Sequence, residues 1–242
     1  MNACKRCNDK GFIIKEGIAY RCNCWPQKLL AMKMKKANLH MDINEFSFSQ
    51  FKLNYYPSSI PSEGGISYKE RAIKALESSQ NFVQDIISLK NPKGLYFFGP
   101  VGSGKTFLAI SIAKELLLKN QEVLFVVVPD YLDALRHSYN KDEHSDYSER
   151  ELVGITSKVR VLVLDDLGAH NYTQWTINKI YSLLNYRLNH RLPTIITSNL
   201  SLAELEKFLG ERTCSRIIGL CNIFRLLVPK DIRYVQSLNN IP

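Results

Sequence analysis

From Gly94 onward, short apolar runs alternate with longer segments of helical spacing. "GLYFF" runs into a glycine-rich turn and "KTFLAISIAKELLLKN"; "EVLFVVV" is followed by "PDYLDALRHSY". "VRVLVLDDLG" leads into "TQWTINKIYSLLNYRLNH", and "PTIITSN" into "SLAELEKFLG", before a last run, "NIFRLLVP", and a short tail, "KDIRYVQ". Each run is continuously apolar, so both of its faces are expected to be covered. This predicts an α/β domain whose parallel sheet lies between helical layers. Upstream, Ile73, Leu76, Phe82, Val83, Ile86 and Ile87 share one face of a helix predicted from about Ser67 to Leu89. The stretch "YYPSSIPSEGGIS" reads as a loop, and "PQKLLAMKMKKANL" as a basic helix carrying Leu29, Leu30, Met32 and Met34. The organisation expected is a small N-terminal unit over 1–40, a linker over 41–66 and the α/β domain over 67–242.

Composition adds direction to this outline. The 242 residues are 45% hydrophobic with 9 prolines and 12 glycines, which excludes a disordered chain. No apolar run approaches the roughly 18 residues of a membrane span, and the N-terminus lacks an apolar signal segment. A cytoplasmic protein with no membrane partner is the expectation. The formal charge is +9, concentrated at the two ends around a near-neutral body. Basic ends suggest contact with nucleic acid or with an acidic protein surface.

Three motifs fall at the C-terminal ends of predicted strands, the edge at which open parallel sheets bind ligands. "GPVGSGKT", Gly99 to Thr106, lies between a strand and a helix and fits a phosphate-binding loop. Its glycines let backbone N–H groups turn inward, Lys105 brings a positive charge to the β- and γ-phosphates, and Thr106 offers a hydroxyl to Mg²⁺. Gly99, Pro100, Val101, Gly102, Ser103, Gly104, Lys105, Thr106 and Phe107 are the expected nucleotide-contacting residues. "VLVLDDLG" places Asp165 to hold the metal and Asp166 to orient the attacking water; a helix N-cap would explain one of the two at most. Asn199, at the tip of "TIITSN", can donate to the γ-phosphate and accept from the water.

Four of the six cysteines form a separate pattern. Cys4, Cys7, Cys22 and Cys24 make two close pairs joined by an arm long enough for a hairpin, with "FIIK" and "IAY" as its strands and Gly11 and Gly17 at its turns. Such pairs can close a tetrahedral Zn²⁺ site with no open position, and hence a structural one. Free thiols are the other reading. Cys214 and Cys221 read as helix-packing residues.

Together, "GPVGSGKT", "VLVLDDLG", "LPTIITSNLS" and "GERTCSRI" resemble the AAA+ ATPases, and within them the bacterial replicative-helicase loaders of the DnaC/DnaI type and the similar IstB-type transposition ATPases. The resemblance implies a five-stranded sheet of order 5-1-4-3-2, with ATP between neighbouring subunits. By position Arg216 resembles the arginine finger offered to a neighbour's γ-phosphate, and Arg233 the second sensor arginine on the chain's own nucleotide. The segment between the second and third sheet strands is similar to an insertion facing single-stranded DNA. Its residues 142–151 are rich in Asp and Glu, while Arg136, His137 and Tyr139 offer a cation and stacking surfaces. Little chain follows the last strand, so any helical lid is expected to be truncated. Short zinc hairpins precede many phage and Gram-positive relatives. The function this implies is an ATP-hydrolysing, self-associating loader that delivers a hexameric replicative helicase onto single-stranded DNA; the alternative is a transposition ATPase that directs a transposase.

Overall fold

The computed structural model describes residues 4, 6–7, 10, 12–15, 18–22, 25, 32–33, 37–39, 45–59, 65–139, 149–169 and 172–239. The chain divides into two compact units, Met1–Met41 and Asp42–Pro242. In the first, β1 (Phe12–Lys15) and β2 (Ile18–Arg21) pair antiparallel, with Phe12 opposite Arg21 and Lys15 opposite Ile18. Most of the expected basic helix lies outside the described residues, as does Cys24.

The second unit opens with α1 (Tyr68–Ile87), started by a capping box in which Ser67 and Glu70 exchange side-chain and backbone hydrogen bonds. Its Ala72, Ala75, Phe82, Val83 and Ile86 are buried, the face that the spacing predicts. There follow β3 (Gly94–Phe98), α2 (Lys105–Leu118), β4 (Val123–Val127), α3 (Val128–Tyr139), α4 (Glu149–Lys158) and β5 (Val161–Asp165). Then come α5 (Gln174–Asn189), β6 (Thr194–Ser198), α6 (Leu202–Leu209), α7 (Glu211–Leu220), β7 (Cys221–Arg225) and α8 (Ile232–Asn239).

All five strands from β3 to β7 are parallel, in the order β4-β5-β6-β3-β7. Counted within the sheet this is the expected 5-1-4-3-2. One face packs against α1 and α2. On the other, Tyr96, Val126, Leu162, Leu164 and Ile196 meet Leu132, Leu135, Ile180, Leu184, Leu205 and Ile217. Among the described residues, the single helix α8 follows β7.

The outline differs from expectation at residues 41–66. Residues 45–59 are no free spacer: they fold into two short 3-10 turns, Phe48–Gln50 and Leu53–Tyr55, with Phe51 and Tyr56 buried. Aromatic side chains spaced through a Pro/Ser-rich stretch carry no helical or strand period, so the sequence gives no local sign of this packing.

Candidate nucleotide site

The loop Gly99–Thr106 joins β3 to α2. Gly104 caps α2 at φ 88°, in the left-handed region that suits glycine. A Cβ there would meet the Tyr56 hydroxyl at 2.6 Å and the Phe51 ring at 3.1 Å, so the position also needs glycine for space. Tyr56 donates to the Ser103 carbonyl at 2.8 Å, and burial raises its pKa, keeping the phenol a neutral donor. Phe107 packs on aromatic rings, its centroid 5.2 Å from that of Phe46 and 5.9 Å from that of Phe51. The segment read as a linker thus braces the back of the phosphate loop.

Lys105 is buried, and its Nζ donates to the carbonyls of Gly99 at 2.9 Å and Pro100 at 2.8 Å. Burial pushes its pKa down to about 8, against the opposing pull of Asp166 and Asp165. Desolvation disfavours the charged form, which leaves this cation little solvated and available to an incoming polyanion. The start of α2 adds unpaired N–H groups and the positive end of the helix dipole. Glycine turns, buried lysine and helix start are the donor set that a nucleotide's phosphates require.

The carboxylate side of the site forms where β5 and β6 lie in register. One step beyond the Leu164–Ile196 pair, Asp165 meets Thr197. Thr106 donates to Asp165 Oδ1 at 2.9 Å, which leaves the lone pairs of the Thr106 hydroxyl for a cation. Thr197 donates to the same carboxylate oxygen at 2.6 Å and accepts from the Asp166 N–H at 3.0 Å. Burial raises the Asp165 pKa, while the Thr197 and Thr106 hydroxyls lower it. Hydroxyl and carboxylate oxygens beside a phosphate loop suit Mg²⁺, a hard cation. Asp166 follows at φ 58°, half-buried, and Asn199 is exposed just past the end of β6.

Of the two predicted arginines, Arg233 stands beside the phosphate loop, within electrostatic reach of Lys105 and Asp166, while Arg216 lies elsewhere in this single chain. Arg216, on α7, donates through Nε to Asn185 Oδ1 at 2.8 Å and lies 5.7 Å from the Tyr181 ring. Arg212 shares that ring at 5.8 Å. Arg233 is tied to Asp231 by its backbone N–H at 2.8 Å and by Nη2 at 3.0 Å. Asp231 itself lies on the phosphate loop: a Cβ at Gly102 would meet its carboxylate oxygen at 1.9 Å, and Ile232 N–H donates to Gly102 O at 3.1 Å. Arg136 pairs with Asp133 on α3, and the side chains of His137 and Tyr139 lie outside the described residues. Sequence reasoning missed Tyr56, Thr197 and Asp231. Only Thr197 left a trace, two residues before Asn199 and therefore on the same face of the strand.

In the N-terminal unit, the Sγ atoms of Cys4, Cys7 and Cys22 lie within 4.8 Å of one another, and the Cys4–Cys22 pair is 3.8 Å apart. Four thiolates about 2.3 Å from a tetrahedral Zn²⁺ would stand about 3.8 Å apart. Tight turns follow both cysteine pairs' first members, with Cys7 N–H on Cys4 O and Trp25 N–H on Cys22 O. The thiols present fit zinc.

Residues 26–220 match the family described as IstB-like ATP binding protein. The chain belongs to this family. As an IstB-like protein it is an ATP-binding chain with the AAA+ form of the P-loop fold. It is 36% identical over 115 residues to the replicative helicase loader DnaI of Bacillus subtilis (strain 168), a match covering 47% of this chain and 35% of the loader. It is 30% identical over 148 residues to the replicative helicase loader DnaC of Escherichia coli (strain K12), covering 61% of this chain and 58% of the loader. Less than two thirds of either relative is therefore spanned. A crystal structure of DnaI superposes with a TM-score of 0.60 at 29% identity, over 79% of this chain and 94% of that one. Among the described residues no helix is long and apolar enough to cross a membrane.

Proposed function

We propose that this IstB-like protein is a helicase loader that hydrolyses ATP to time the delivery of a replicative helicase onto single-stranded DNA. The observation that carries the reading is the convergence of buried Lys105, Thr106 and Asp165 at the phosphate loop of a chain similar to two named loaders. Lys105 and the loop N–H groups hold the phosphates. Asp165 and Thr106 hold Mg²⁺, which neutralises charge on the phosphates when bound. Asp166 and Asn199 orient the water that attacks the γ-phosphorus as the bond to ADP breaks, and inorganic phosphate leaves. Arg216 serves a neighbouring subunit; on its own chain Asn185 and Tyr181 hold it. Self-association through the ATPase domain is thus required for turnover. Arg233 contacts its own chain's nucleotide after exchanging Asp231 for phosphate. The zinc-bearing region 1–40 grips the helicase.

The test is co-purification with a hexameric replicative helicase, using the full chain and a chain lacking residues 1–40. Capture by the full chain and its loss on deletion are expected. Capture that survives the deletion would sink the N-terminal assignment, and no capture by either chain would sink the loader reading. The family description favours one other reading, a transposition ATPase. That reading predicts capture of a transposase and not of a helicase.

A further inference from the structure

We infer that Thr197 is a positioning residue for the metal side of the nucleotide site, acting through Asp165 and Asp166. The inference rests on the nucleotide–Mg²⁺ reading given above. Thr197 is fully buried, and its hydroxyl has one proton and two lone pairs to spend. The proton goes to Asp165 Oδ1 at 2.6 Å, the shorter of the two hydroxyl contacts on that oxygen. A lone pair takes the Asp166 N–H at 3.0 Å. One hydroxyl thereby sets the rotation of the first carboxylate and the backbone of the second, which sits at φ 58°, where a non-glycine residue needs outside support. The Thr197 carbonyl adds a third tie by accepting from Leu167 N–H at 2.9 Å.

The same strand ends at Ser198, and Asn199 follows directly, two residues after Thr197. With Oδ1 occupied by the Thr106 and Thr197 hydroxyls, the other carboxylate oxygen is the one that would serve a bound metal. Serine can reproduce both side-chain bonds. Valine has nearly the same shape but supplies neither, and it leaves the Asp166 N–H without its acceptor.

The experiment titrates a slowly hydrolysed fluorescent ATP analogue into full-length wild type, Thr197→Val and Thr197→Ser, with and without Mg²⁺. Thermal melts report that each variant is folded. Outer-shell partners of metal ligands are worth about 10–100-fold in metal affinity. Thr197→Val is expected to lose at least about tenfold of the Mg²⁺-dependent tightening while its metal-free affinity stays near wild type. Thr197→Ser is expected to recover most of it. A Thr197→Val protein that melts lower but tightens with Mg²⁺ as wild type does would make the hydroxyl structural only and overturn the inference. If Thr197→Val does not fold, the serine variant decides: wild-type Mg²⁺ dependence supports the hydroxyl's role, and its loss overturns it. A wild type whose affinity ignores Mg²⁺ would fail the metal reading itself, and Thr197 would then have no ligand to position.

Discussion

Replacing Arg187 with methionine should destabilise the α/β domain more than most single changes, although Arg187 lies outside the nucleotide site. Its side chain is fully buried on α5. Nε donates to Thr194 Oγ1 at 2.8 Å; Nη1 donates to the carbonyls of Thr156, Ser157 and Val159; Nη2 donates to those of Arg160 and Pro193. All six acceptors are neutral, so helix-end and loop dipoles, not a carboxylate, compensate the charge. Thr156 and Ser157 lie in the last turn of α4, where carbonyls run out of intrahelical donors, and the guanidinium supplies them. Two effects oppose each other in Arg187→Met. Removing the cation relieves several kcal/mol of desolvation. Leaving the five carbonyls without their donor costs ~1–3 kcal/mol each where they stay buried. The second should win, for a net loss of about 3–5 kcal/mol, the excess of several unmet carbonyls over the relieved desolvation. At about 2–4 °C per kcal/mol for a domain of this size, the melting temperature falls on the order of 10 °C. Lysine keeps the charge but carries three donors at one point, so it should fall in between. Urea unfolding followed by circular dichroism measures both variants. A methionine variant within about 1 kcal/mol of wild type would refute the reasoning.

Other predictions concern the site and the cysteines. With Lys105 held near 8 by burial, its charge is lost as pH rises through that value. Nucleotide affinity should therefore weaken about tenfold between pH 7 and pH 9, and equilibrium binding that stays flat over that range would contradict the shift. Lys105→Ala and Arg216→Ala proteins, each inactive alone, should regain part of their ATPase rate when mixed, because the first lends its Arg216 to the second's intact phosphate loop. A dead mixture of proteins that still assemble would exclude action in trans. Metal analysis of the purified chain should find about one Zn²⁺ per molecule, lost in Cys22→Ser. Zinc at wild-type content in that variant would remove Cys22 from the ligand set.

Much of this fold was legible in the chain because it is written in local order. Runs such as "VLVLD" are buried on both faces and so are apolar throughout. The phosphate loop is a contiguous turn whose glycines carry its geometry, and Asp165 sits where its strand ends. These features need only neighbours in sequence, and the order of the sheet followed from the family resemblance that such motifs carry. The partners of those residues are not local. Thr197 reaches Asp165 from 32 positions away because two parallel strands lie in register. Tyr56 reaches Ser103 across 47 positions from a stretch whose composition reads as a spacer. Asp231 lies on Gly102 because β7 joins the sheet beside β3 and delivers the following helix to the loop. Arg187 looks like any helical arginine until five carbonyls from two other stretches, residues 156–160 and Pro193, close around it. The sequence by itself determined the strands, the helices and the phosphate-loop motif, and so which groups to propose for the chemistry, because motif and period are properties of neighbouring residues. Only the tertiary structure decided which groups hold them in place, because a hydrogen bond between distant segments leaves no period in either one.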